Sequence, residues 1–312
     1  MTPEAGSVER SGTGAGPGPV PIRAATVQRQ FDRRAPGFAH ASAIVREVGG
    51  RLAERLEAVR LDPRLVVDLG CGTGAQRATL LKRFARATWI GVDLSPAMLH
   101  QARPGAYARW LPAALRRRAL RVCASADQLP LAGGSADCVY SNLMLNWHPA
   151  PHRVFPEIAR VLADGGLLLF ASLGPDTLRE LREACAAALP RVRPMPFVDM
   201  HDLGDMMVAA GFASPVMDAE ILRLTYASGP QLLAEVRALG GNPRDDRHPG
   251  LPSGAQARRL LAGLEARRDA EGRIALTFEV TYGLGWKAAP RAPAGATTTI
   301  PVDQLRRQLR RG

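Results

Sequence analysis

Cysteine is scarce in this chain, and its placement excludes more than its number. Cys71, Cys123, Cys138 and Cys185 stand far apart, with no Cys-x-x-Cys pair and no Cys/His spacing of a zinc site. Neither a structural metal nor a disulfide framework is expected, and a reducing, cytoplasmic setting is. Long apolar runs are missing too: no stretch approaches the ~18–20 residues of a membrane span. Residues 1–24 carry Gly and Pro without the apolar centre of a secretory signal, and read as a flexible leader. Acids are outnumbered, with 29 Asp and Glu against 41 Lys and Arg, a net charge of +12. Aromatic residues make up only 5% of the chain and do not interleave with the arginines of the tail. A stacking surface for single-stranded nucleic acid is therefore not expected.

The excess positive charge is local. Arg103 to Arg121 holds six arginines and no acid, while Lys287, Arg291, Arg306, Arg307, Arg310 and Arg311 face only Asp303 in the tail. The rest of the chain is close to neutral. Basic segments of this kind suit an acidic partner, or simply a solvated surface.

With 312 residues, 46% of them apolar and 22% charged, the chain can bury the core of one large α/β domain. Ile44, Val48, Leu52 and Leu56 recur every fourth position, which predicts helix over Val27 to Val59. Short apolar runs predict strands at Leu65–Leu69, Thr88–Val92, Leu120–Cys123, Asp137–Asn142 and Leu167–Ser172, with helices through Leu80 and Leu81 and over 151–162 between them. Helices are predicted at 176–189, 199–210, 230–239 and 254–271, and two β-rich runs, Met217–Tyr226 and Ile274–Trp286, close the pattern. The expectation is a Rossmann-like, seven-stranded α/β sheet with helices on both faces and a helical cap. One domain would span 25–287, with cap elements over about 176–271, followed by a basic tail at 288–312.

Between the first strand and its helix lies Asp68-x-Gly70-x-Gly72-x-Gly74. Glycines there let the backbone turn sharply and approach a ligand. Gly70-x-Gly72-x-x-Ala75 also fits a dinucleotide fingerprint, so the turn alone leaves the cofactor open. Asp68 would repel a pyrophosphate but suit the ammonium end of an adenosylmethionine. Asp93, at the tip of the second strand, can accept two ribose hydroxyls. Ala126 and Asp127, after the third strand, can offer an N–H and a carboxylate to an adenine edge.

The runs VVDLGCGTG, GVDLSPAML, ASADQLPL and SNLMLNWHP resemble the class I methyltransferase series. QFDRRAPGFAHAS, the stretches 141–183 and 197–243, and VRALGGNP at 236–243 are similar to the malonyl-acyl-carrier-protein O-methyltransferases of biotin synthesis, over roughly 27–287. The resemblance implies S-adenosylmethionine as cofactor, held by Asp68, Gly70, Cys71, Gly72, Gly74, Asp93, Leu94, Met98, Ala126, Asp127 and Asn142. It also implies an acidic acyl-carrier protein as partner, met by the 103–121 segment or Arg237.

A substrate carboxylate is already ionised at neutral pH, with a reference pKa near ~4, so no catalytic base is assigned. A cation is wanted instead, and Arg179, Arg182, Arg223 and Arg237 lie in the cap half. Arg223 sits on an alternating strand that could turn it inward. Trp147 and His148, after the fourth strand, are candidates for the substrate side. Phe38 falls where the family often offers a Tyr hydroxyl, so here it could only close the site by packing.

Three other readings stay open. One is a methyltransferase for another small acid, a lipid quinone or a polyketide. Another rests on 141–183 and 276–286, with the closing GLGWK at 283–287 as the shared feature, which also resemble a mitochondrial complex I assembly factor that binds the same cofactor and acts as a protein-arginine hydroxylase. The third is a nicotinamide dehydrogenase.

Overall fold

The computed structural model describes residues 22–41, 43–102, 119–246 and 252–289. Most of the expected leader, the tail and the arginine-rich 103–118 segment lie outside the described residues.

Seven strands form one sheet: β1 (Leu65–Leu69), β2 (Thr88–Asp93), β3 (Ala119–Cys123), β4 (Ala136–Asn142), β5 (Leu162–Leu173), β6 (Phe212–Tyr226) and β7 (Ile274–Lys287). Their order is β3-β2-β1-β4-β5-β7-β6. The first five run parallel, and β7 enters antiparallel between β5 and β6. The strand order reverses at β1, which has β2 on one side and β4 on the other. Crevices at the carboxyl tips of such a reversal are where open α/β sheets bind ligands.

Both faces are covered, which explains the near-continuous apolar strands. On one face Val66, Trp89, Tyr140, Leu169 and Phe278 pack under Ile44, Val48, Leu52 and Leu56 of α2 (Ala43–Glu57). On the other, Val67, Ile90, Val139 and Phe170 pack under Phe155 and Ile158 of α5 (Pro151–Val161) and Leu203 and Met207 of α7 (Met200–Ala209). Each such side chain contributes roughly 1.5–3 kcal/mol on burial.

Several boundaries differ from the sequence reading. The expected N-terminal helix is described as α1 (Ala24–Ala41) and α2 on either side of residue 42, which lies outside the described residues, and the Ala43 N–H donates at 2.7 Å to Glu235 of α8 (Gly229–Leu239). The 176–189 helix begins later, as α6 (Arg179–Ala188), since Glu279 of β7 captures the Asp176 N–H and its carbonyl accepts the Thr177 hydroxyl. β5 starts at Leu162 and contains the Asp164-Gly165-Gly166 turn as an irregularity in register. β6 starts at Phe212, with a bulge between Ala213 and Val216. Helices α3 (Arg77–Arg83), α4 (Pro96–Gln101) and α9 (Gly254–Glu265) complete the described fold. α9 is fixed at its start by a Ser253–Gln256 capping box and ends short of the expected 271.

Candidate active site at the strand tips

At the carboxyl ends of β1, β2 and β4 a pocket of about 1090 Å³, partly open to solvent, extends beneath α1. Asp68, Gly70, Cys71 and Gly72 line it from the first turn, Asp93, Leu94 and Met98 from the second, and Ala126 and Asn142 from the next two strands. Phe38, Trp147 and His148 line it on the α1 side. The structure thus brings together twelve of the fifteen residues picked from sequence as cofactor or substrate contacts.

The turn is held from both strands. Gly70 and Cys71 donate to the Val92 carbonyl at 2.8 and 3.0 Å, and Gly74 donates to the Cys71 carbonyl at 2.8 Å. Gly74 therefore shapes the turn without facing the pocket. Gly70 has φ +74°, and a Cβ there would stand 2.3 Å from Met144 Cγ, so only glycine fits. Asp93 accepts from Gly72 N through Oδ2 and from Ser95 N through Oδ1, both at 2.8 Å. Each oxygen keeps a lone pair for a further donor, such as a ribose hydroxyl. Burial pushes the Asp93 carboxyl up despite these backbone donors.

Asp68 is buried, with the Trp89 indole N–H donating to Oδ2 at 3.2 Å. Burial pushes its pKa up to about 7, Trp89 opposes the rise, and the neighbouring Asp93 adds to it. Two desolvated carboxylates thus share a pocket whose described wall contains no lysine or arginine. That is a poor site for a pyrophosphate and a good one for a ligand carrying positive charge.

A cationic ligand needs Asp68 ionised, whereas the free protein increasingly protonates it below about pH 7. Binding must then expel that proton. Calorimetric titration should show affinity for S-adenosylmethionine falling by up to about tenfold per pH unit below that point. Asp68→Asn should flatten the profile, and an unchanged affinity from pH 5 to 8 in the wild type would contradict the assignment.

The helix α1 closes the site. Asp32 accepts the Ser95 hydroxyl at 2.5 Å and the Ala97 N–H at 3.3 Å, latching α1 to the start of α4. Phe31 stacks edge-on against Phe38 at 6.0 Å and Trp147 at 5.3 Å. Arg34 donates to the Arg237 carbonyl at 2.6 Å, tying α1 to the end of α8, whose Leu239 also lines the pocket.

Arg223 needs correction. Arg223 lies exposed on β6, the edge strand, because Leu222 and Leu224 take the face that packs on the core. It does not reach the pocket. Asp127 stands just outside the lining. Burial pushes its carboxyl up, but the Ser125 hydroxyl at 2.6 Å and the nearby His148 and Arg153 outweigh that and hold it below its usual range. Of the other arginines considered, Arg179 pairs with Asp176 and Glu180, and Arg237 is exposed.

His148 accepts the Ala150 N–H on Nδ1 at 3.1 Å, leaving the Nε2 proton facing Asp127 at 3.5 Å. Burial lowers its pKa against the pull of Asp127. The ring is neutral near pH 7 and caps the approach to α5 while lining the pocket. Sequence reasoning missed Gln76, Leu143, Met144 and Leu239. Leu143 has φ +55° directly after β4, a strained geometry that its side chain does not announce.

Strand order, glycine turn and paired acids define a class I, S-adenosylmethionine-dependent methyltransferase. A family model described as "Methyltransferase domain" matches residues 67–170. Among solved structures, the YcgJ protein of Bacillus subtilis has a TM-score of 0.55 at 15% identity, covering 78% of this chain and 100% of its own, which reflects the shared fold. A malonyl-acyl-carrier-protein O-methyltransferase from Halorhodospira halophila is 40% identical over 91% of this chain and 96% of its own. One from Methylovorus sp. is 41% identical over 86% and 91%. The chain belongs to the malonyl-acyl-carrier-protein O-methyltransferase family.

Proposed function

We propose that this chain methylates the free carboxylate of a malonyl thioester carried on acyl-carrier protein, an early step of biotin synthesis in the cytoplasm. The observation that carries this reading is a pocket divided in character. One end presents the buried Asp68 and the half-buried Asp93, and the other presents the aromatic wall of Phe31, Phe38 and Trp147. When bound, S-adenosylmethionine supplies an electrophilic methyl group on a sulfonium sulfur. Asp93 and the glycine turn would hold its ribose and amino-acid portions, and Asp68 its ammonium.

The chain's remaining task is positioning and exclusion of water, because an ionised carboxylate attacks without a base. The residues agree with that economy. His148 is the described imidazole of the pocket, and its two nitrogens are engaged by Ala150 and Asp127. It is set as a structural group, not poised as a base. The α1 lid shields the reacting atoms through Phe31 and Phe38, and the Asp32 latch keeps it down.

Mass spectrometry of malonyl-carrier protein after incubation with enzyme and S-adenosylmethionine tests the proposal. The expected product is heavier by one CH₂ unit, with S-adenosylhomocysteine formed in equal amount and malonyl-CoA used less well. Cofactor binding without methylation of any malonyl thioester would overturn the proposal and favour another acceptor.

A further inference from the structure

The lid helix has two unlike faces. Val27, Phe31 and Phe38 point into the pocket, and half a turn away Arg29 and Arg33, one turn apart, are exposed. Neither has an ion-pair partner among the described residues. The segments tied to this helix continue the same charge. The backbone bridge between Ile22 and Arg244 joins its start to the 240–246 loop, and Gln30 donates to the Asn242 carbonyl at 3.4 Å. Asn242 in turn donates to the Arg193 carbonyl at 2.7 Å. Arg191, Arg193 and Arg237 are therefore stitched to α1 as one surface, all three exposed. Arg193 lies near enough to Asp246 to help Arg244 hold its carboxyl below the usual range, while Arg191 and Arg237 have no ion pair among the described residues. The acids on this surface, Asp245 and Asp246, are already engaged by Arg23 and Arg244.

The pocket reaches this surface. Ala24 lines it and is also exposed, so the cavity meets solvent beside the first turn of α1. Close by, Ile22, Val27 and Met195 form an apolar cluster with Phe31, Trp147 and Phe197. Such a wall suits a flexible acyl arm more than a charged protein body.

We infer that the outer face of α1, with Arg29 and Arg33 at its centre and Arg191, Arg193 and Arg237 beside it, is the docking surface for an acidic carrier protein that delivers its thioester arm beside Ala24. This rests on the malonyl-carrier reading above. Unpaired arginines at a cavity mouth accelerate encounter with an acidic partner and orient it, and they do so without touching the reacting atoms. A small thioester without added phosphates, such as malonyl-pantetheine, gains little from them.

The test compares the full-length wild type, R29E/R33E, and R258E/R259E, which makes the same charge change on the exposed side of α9. Substrates are malonyl-carrier protein and malonyl-pantetheine at low and high salt. For R29E/R33E, kcat/KM toward the carrier substrate should fall about tenfold or more at low salt, mainly through KM, with a flatter salt dependence. Turnover of malonyl-pantetheine and affinity for S-adenosylmethionine should stay as in the wild type, and R258E/R259E should match the wild type throughout. The inference is overturned if R29E/R33E equals the wild type on the carrier, loses equally on malonyl-pantetheine, or loses no more than R258E/R259E. A wild type that leaves malonyl-carrier unmethylated removes the functional reading and this surface together. One that methylates it while R29E/R33E does so equally well removes the surface alone.

Discussion

Asp93→Ala should weaken S-adenosylmethionine binding by about a hundredfold or more while leaving the protein folded. The carboxylate accepts from Gly72 N and Ser95 N at 2.8 Å each, so it holds the glycine turn and the start of α4 in register. Hydrogen bonds to a charged group contribute about 1.5–3 kcal/mol apiece, and the ribose would add donors to the same oxygens. Losing two such contacts corresponds to roughly 3–6 kcal/mol, or two to four decades of affinity. The strand core beneath does not depend on this side chain, since Val66, Val67 and Leu69 are buried independently. Near-native far-ultraviolet dichroism with lost calorimetric binding is the expected result. Retained affinity would mean that the ribose is held elsewhere and would remove the central assignment of the site.

Asp93 was legible in the sequence because everything that places it is local. A strand ends, an acid follows, and Ser95 caps the next helix, its hydroxyl accepting from Met98 N. The same holds for Asp68 and the glycines. Legibility failed where position depends on distant packing. Arg223 was ambiguous because alternation gives two faces but not which one is covered, and Leu222 and Leu224 decided that against it. Leu239 enters the pocket from a helix about a hundred residues beyond β4, with no local pattern to mark it.

The family-like Gly240–Gly241 pair shows its purpose only in three dimensions, and it gives the second large prediction. Gly240 has φ +148°, and a Cβ there would lie 2.3 Å from Cη2 and 2.6 Å from Cζ2 of Trp147. The indole cannot yield freely, because Phe31 packs edge-on against it at 5.3 Å. Gly240→Ala therefore combines backbone strain of about 1–3 kcal/mol with overpacking of about 1–3 kcal/mol, and Tm should fall by roughly 10 °C. Asp68 and Asp93 sit on the sheet side of the pocket, so affinity for S-adenosylmethionine should change by no more than about twofold. Turnover should suffer far more, since a shift near 1 Å in a positioning wall can cost about a hundredfold. Replacing Trp147 by Phe in the same protein should recover part of the stability, because the smaller ring removes the clash. If Gly240→Ala instead abolishes cofactor binding and leaves the Michaelis constant for the acceptor unchanged, Trp147 belongs to the cofactor end, and the division of the pocket into an acidic and an aromatic half is wrong.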